Sequence, residues 1–257
     1  MSTERVRPGS GDRTLVCRSD APRAEPKFHE VSDRGIVSTV IRVDAVVFDL
    51  DGVLVDSERM WDEVRRAVVA EHGGQWREEA TRAIQGMSTP EWARYLVEEL
   101  GTRLTADEVA DTVIGRMAAR YESGPPILAG AEETVRTVAE RHPVAIASSS
   151  PPVLIEAFLS AARLTDLVRV AVSSEQVDAG KPSPDVYLEA ARRLDIAPMR
   201  CAAVEDSTNG LRAALAARMA VVAVPNPHFP PDPNVLAEAA AVIDDITELP
   251  EALRRIR

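Results

Sequence analysis

The order of apolar and polar positions divides the chain into three unlike stretches. Residues 1–40 are rich in Arg, Glu, Asp, Ser, Gly and Pro and hold no period, so they predict a disordered N-terminal extension outside the fold. The run Val43-Asp44-Ala45-Val46-Val47-Phe48 is β-branched and suits a buried parallel strand. It ends on Asp49-Leu50-Asp51-Gly52, where the glycine permits a sharp change of direction. Helical periodicity then runs from Ser57 through Glu71, stops at His72-Gly73-Gly74, and resumes to Tyr121 with no convincing strand. Trp92, Tyr95, Leu96 and Leu100 share one helical face, and Val109, Val113, Met117 and Tyr121 another. Gly124-Pro125-Pro126 punctuates the end of this block.

Beyond Gly130 short apolar runs, at 143–147, 168–172, 201–204, 220–224 and 241–243, alternate with helical segments near 131–140, 153–162, 184–194, 211–217 and 235–240. Alternation of this kind predicts an α/β fold, a Rossmann-like parallel sheet with helices on both faces. The helical block becomes an all-helical insertion, with expected boundaries of 41–58 and 125–257 for the α/β core and 59–124 for the insertion.

Composition adds limits. With 45% hydrophobic but only 4% aromatic residues, the core must be built from Ala, Val, Leu and Ile. A net charge of −11 argues against nucleic acid or an anionic membrane surface as partner. No apolar stretch reaches membrane-spanning length and no secretory segment opens the chain, so a cytoplasmic monomer or weak dimer is expected. Cys17 lies in the polar leader and Cys201 opens an apolar run, so a structural disulfide is not expected. His29, His72, His142 and His228 show no ligand spacing.

In an open parallel sheet, ligands bind beyond the carboxyl ends of the strands. Those positions carry Asp49 and Asp51, then Ser148-Ser149-Ser150, then Ser173-Ser174-Glu175, then Glu205-Asp206-Ser207, with Lys181 in a turn-rich loop. Crowded carboxylates repel one another, so a hard divalent cation is their natural counter-charge, and oxygen donors without histidine favour magnesium over zinc. A lysine and hydroxyls beside such an ion suit a phosphate. Ser150-Pro151-Pro152 reads as a helix N-cap and first turn whose amides face the same edge. Taken singly, each feature has a plain explanation as a solvated strand end, a loop or helix-start charge. Their joint placement at successive strand ends points to phosphoryl transfer.

The run Phe48-Asp49-Leu50-Asp51-Gly52-Val53-Leu54-Val55-Asp56-Ser57-Glu58 resembles the first signature of the haloacid dehalogenase superfamily, in the form shared by β-phosphoglucomutase and the sugar-phosphate phosphatases. Ser148, Lys181-Pro182 and Glu205-Asp206-Ser207 with Asn209-Gly210 match the second, third and fourth signatures in order. The resemblance implies Asp49 as nucleophile, Asp51 as general acid and base, and Ser148 and Lys181 as holders of the phosphoryl oxygens. It implies magnesium on Asp49, the Asp51 backbone carbonyl and Asp206, with Glu205 in the outer shell. The insertion becomes a mobile cap over the substrate, in which Glu58 and Met87, with Ser149 on the core side, are candidate substrate contacts. The implied partner is a small phosphorylated metabolite.

Two departures bear on the reaction. The mutases of this subgroup carry a cap-helix histidine where Trp61 stands, and an arginine after a cap glycine where Gly86-Met87-Ser88-Thr89 has threonine. Both replacements weaken a hold on a second phosphate, so a phosphatase is expected, with a phosphomutase as the alternative and a catalytically silent sugar-phosphate-binding regulator behind it. Trp61 and Trp92 are expected to pack cap helices together. Arg94, Arg116 and Arg120 are expected on solvated faces.

Overall fold

The computed structural model describes residues 42–84, 87–227 and 229–256. The expected extension over residues 1–40, with Cys17 and His29, lies outside the described residues, as do Gly86 and His228. Strand β1 (Ala45–Phe48) is followed by four helices, α1 (Glu58–Glu71), α2 (Ala80–Ala83), α3 (Thr89–Glu98) and α4 (Ala106–Glu122). Then come α5 (Ala131–Ala139), β2 (Val144–Ser148), α6 (Pro152–Ala161), β3 (Val168–Ser173), α7 (Asp185–Leu194), β4 (Cys201–Glu205), α8 (Thr208–Ala216) and β5 (Ala220–Ala223). Helix α9 (Pro233–Leu236), β6 (Ala241–Val242) and α10 (Leu249–Arg255) complete the order.

The six strands form one parallel sheet in the order β3-β2-β1-β4-β5-β6. β1, β2, β4 and β5 read as apolar runs because both faces are covered. Val46, Phe48, Ile146 and Val204 enter one core with Val135 of α5 and Phe158 of α6. Their neighbours Val47, Ala145, Ala147 and Ala203 enter a second core with Tyr187 and Ala190 of α7 and Ala213 and Ala214 of α8. A two-residue period thus splits each strand between two cores. Alanines at these helix faces let α7 and α8 lie close on the sheet, which is how a chain poor in aromatics still closes its interior.

In the helical block the two predicted apolar faces meet. Trp92 and Leu96 of α3 and Val109, Val113, Met117 and Tyr121 of α4 are buried, and α4 packs on α1, α3 and α6. Capping boxes start two of these helices, Ser88 with Glu91 at α3 and Thr105 with Glu108 at α4.

The sequence reading differs from the structure at the margins. β1 begins at Ala45, because Asp44 turns outward to pair with Arg42 and Arg200. The helix expected over 235–240 is the single turn α9, since the Ala240 amide bonds to the Val221 carbonyl and draws the chain into β6. α10 was not expected, although Leu249, Ala252 and Leu253 bury one helical face behind Pro250 at its start. Among the described residues no helix is long and apolar enough to cross a membrane.

Candidate active site

β1 lies at the point where the strand order reverses, with β2 on one side and β4 on the other. Crevices for ligands open at such a switch point, past the strand ends. Asp49 leaves β1 still tied to β4, its amide donating to the Val204 carbonyl at 3.0 Å. The next turn is fixed by the amides of Val53, Leu54 and Val55, which donate to the Leu50 carbonyl, and by Gly52 N donating to Val55 O at 2.8 Å. This closed turn presents Asp51 beside Asp49 in place of a further strand residue.

Asp49, Glu205 and Asp206 are buried, and each offers a carboxylate oxygen within 4.8 Å of the others. Lys181 is their common cation. Its Nζ lies 2.8 Å from Asp49 Oδ1 and 2.6 Å from Glu205 Oε1, with the Tyr187 ring beneath it. Glu205 is fully committed. Oε1 also accepts from Tyr187 Oη at 2.6 Å, and Oε2 accepts from the Asp206 and Ser207 amides and Ser207 Oγ. Burial, with Glu205 close by, pushes the Asp49 carboxyl up to about 8 against the opposing pull of Lys181. Asp206 is raised well above the usual carboxylate range, by burial and then by Glu205 and Asp49. One lysine does not balance three enclosed carboxylates, and an all-oxygen donor set of this charge fits a hard divalent cation such as magnesium.

Asp51 is held from two sides. Ser57 Oγ and Trp61 Nε1, from the start of α1, donate to Oδ1, the indole at 3.3 Å. Ser150 Oγ at 2.6 Å and Ser148 Oγ at 3.4 Å, from beyond β2, reach Oδ2. Hydroxyl and indole donors from both sides thus fix the orientation of both Asp51 carboxylate oxygens.

A cavity of about 570 Å³ joins these groups to the helical block. Its floor includes Asp49, Asp51, Ser149, Lys181 and Asp206. Its opposite wall includes Glu58, Trp61, Arg65, Met87 and Trp92. Ser148 and Glu205 stand behind the floor, fully enclosed. Trp61 and Trp92 pack together, ring centroids 6.2 Å apart, and also face the cavity.

The expected anion-binding turn at Ser150-Pro151-Pro152 is corrected. The cap position is Pro151, neither proline has an N–H, and the Ser150 amide is already bound to Ser148 Oγ at 3.0 Å. Sequence reasoning also misses three residues. Tyr187 reads as core because it sits on the apolar face of α7, Ser150 reads as a helix cap, and Arg65 reads as one more charge on α1. Only the fold shows their neighbours.

A family profile described as haloacid dehalogenase-like hydrolase matches residues 43–218. The chain belongs to that family. Hexitol phosphatase B of Escherichia coli (strain K12) is 34% identical over 231 residues, covering 83% of this chain and 97% of the relative. Fructose-1-phosphate phosphatase YqaB of the same organism is 28% identical over 187 residues, covering 71% of this chain and 97% of its own. Among solved structures, CbbY from Rhodobacter sphaeroides in complex with phosphate superposes with a TM-score of 0.73 at 27% identity, over 82% of this chain and 99% of that one.

Gly52 shows how tightly the site is built. Its φ is +80°, and a Cβ there would stand 1.9 Å from Asp206 Oδ2. Gly52→Ala is expected to cost about 1–2 kcal/mol from the left-handed backbone alone. It should also push Asp206 out of place, lowering turnover by about ten-fold or more. Thermal unfolding and steady-state hydrolysis check the two effects separately, and unchanged turnover would show that Asp206 does not need its present position.

Proposed function

We propose that this hydrolase is a magnesium-dependent phosphatase that cleaves a small sugar or polyol monophosphate through an aspartyl-phosphate on Asp49. The observation that carries the reading is the arrangement of Asp49 and Asp51 on one cavity floor. Asp49 is ion-paired to Lys181, while Asp51 is held by hydroxyl and indole donors and, among the described residues, has no ion pair of its own. The phosphatase names of the relatives support it.

In this reading an Asp49 oxygen attacks phosphorus and the bond to the leaving alkoxide breaks. Asp51 gives its proton to that alkoxide, then takes one from the water that hydrolyses the aspartyl-phosphate. Lys181 restrains Asp49 and bears on the phosphoryl oxygens, with Ser149 beside it on the floor. Ser148 acts through Asp51 and the Ser150 amide, which occupy its hydroxyl. Asp49, Asp206 and the backbone of Asp51 would hold magnesium, with Glu205 behind them because its oxygens are already engaged. Bound there, the ion would offset the negative charge gathered on the transferring group. The helical block over residues 59–124 serves as a cap that closes on the substrate and excludes water.

A second reading, phosphomutase, is favoured by one observation. Arg65 places a cation on the cap wall, where Trp61 and Thr89 supply none. Hydrolysis remains the stronger reading because Asp51 stands ready to activate water. Incubation with hexose, pentose, hexitol and glycerol monophosphates should release inorganic phosphate steadily. Chelator should silence the release, magnesium should restore it, and no bisphosphate activator should be needed. Conversion of β-glucose 1-phosphate to glucose 6-phosphate without free phosphate, followed by phosphorus NMR, would reject the hydrolase. Full activity in excess chelator would remove the metal.

A further inference from the structure

Among the described residues, three basic side chains line the cavity: Arg59, Arg65 and Lys181. Arg59 is paired with Glu63, and Lys181 with Asp49 and Glu205. Arg65 differs from both. Its guanidinium carbon lies 4.5 Å from the centroid of the Trp61 ring and 4.8 Å from that of Trp92. Its Nε is buried, and among the described residues it has no hydrogen-bond partner. Asp51, Asp62 and Glu58 are the acidic groups near enough to act on it. Asp62 is already held by Arg66 and Thr81, Asp51 accepts from hydroxyls and an indole, and Glu58 borders the same cavity. Burial pulls this guanidinium down to about 10.

Two indole faces hold the guanidinium by cation–π attraction. Arginine donors lie in the plane of the fork and match an oxyanion two at a time, which stacking on the faces leaves possible. Arg65 is part-buried and lines the cavity, so an oxyanion bound there can meet its guanidinium where it stacks on the two indoles.

We propose that Arg65, clamped by Trp61 and Trp92, is a specificity subsite for an oxyanion on the leaving group of the substrate, a carboxylate or a second phosphoryl group. The inference rests on the phosphatase reading above and refines its substrate from a plain monophosphate to a sugar or polyol phosphate that carries a second negative group. The reacting phosphoryl group sits at Asp49, and the second anion lies across the cavity against α1.

Matched substrates test it on the full chain with magnesium. Glycerol 3-phosphate is compared with 3-phosphoglycerate, and sorbitol 6-phosphate with 6-phosphogluconate and sorbitol 1,6-bisphosphate. The anionic member of at least one set should be preferred by about ten-fold or more in kcat/KM, carried mainly by KM. The carboxylate and bisphosphate arms tell the two sources of charge apart. Arg65→Gln should bring the favoured ratio close to parity, and Arg65→Lys should keep part of it. Parity or a preference for the neutral member in the wild type overturns the proposal, even if a variant fails to fold. So does an Arg65→Gln protein that loses both members of a set equally. Phosphate release from neutral substrates alone sinks this inference and leaves the phosphatase standing, whereas no release from any of them sinks the phosphatase reading itself.

Discussion

Asparagine in place of Asp49 is expected to abolish turnover, by about 10⁴-fold or more, while the protein stays folded. The side chain is nearly the same shape, and it sits at the end of a central strand whose backbone bonds do not involve it. An amide carries no charge and does not attack phosphorus, so the covalent route closes. Stability should not fall with activity. Burial already pushes the Asp49 carboxyl up to about 8, which means the folded state favours a neutral group here. Lys181 keeps its contact with Glu205 at 2.6 Å. The unfolding midpoint of Asp49→Asn should therefore equal or exceed that of the wild type. More than a trace of phosphate release from the purified variant would remove Asp49 as nucleophile.

Lys181→Met should damage both activity and stability. The lysine is enclosed between Asp49 and Glu205, with Asp206 alongside, and it is the one basic side chain ion-paired to this group among the described residues. Removing one partner of a buried ion pair costs about 3–5 kcal/mol, because the remaining charge is left without compensation. For a domain of this size that is a fall in unfolding midpoint of the order of 10 °C. Turnover should drop by about 10²–10³-fold, since a fixed cation at the transferring group is lost. The sign of the pH dependence follows from Asp49. A carboxyl whose folded pKa is raised contributes stability at low pH and loses it as pH rises through the raised value. The two proteins should differ least below about pH 8, where Asp49 holds a proton in both, and diverge as the pH rises past that value. Thermal unfolding across that window checks the trend, and a variant as stable as the wild type at the alkaline end would contradict it.

The parts that were legible in the sequence are those fixed by local pattern. β1, β2, β4 and β5 were readable because burial on both faces leaves apolar runs rich in Val and Ala, and a polar residue closing such a run marks a strand end; β3 kept the pattern despite the exposed Arg169. Asp49, Asp51, Glu205 and Asp206 could be named for that reason and Lys181 from its turn-rich loop, and the structure gathers them around one cavity floor. What stayed hidden depends on how side chains meet across the fold. Ser150 turns from its expected helix cap to Asp51 because a proline takes the cap position. Tyr187 has the spacing of a core residue, and nothing local reveals that its hydroxyl ends on Glu205. Arg65 became visible only when α1 and α3 brought two tryptophan faces around it. Trp61 and Trp92 were expected to pack, and they do so while also facing the cavity.

The central place of β1 also shapes how the protein comes into being on the ribosome. One edge of β1 pairs with β2, which waits for the whole helical block to be made, and the other pairs with β4, which waits for β3 and α7 as well. Through most of synthesis this first strand therefore presents an unpaired apolar edge, the kind of surface that invites mispairing with another chain. Its contacts are among the most distant in sequence that the fold contains, so they close late and slowly. Asp206 arrives beside Asp49 in the same event that seals that edge. On the proposed reading, a nascent or truncated chain ending before β4 should be both prone to aggregate and inert, and the first moment at which it can do chemistry is the moment its sheet becomes safe.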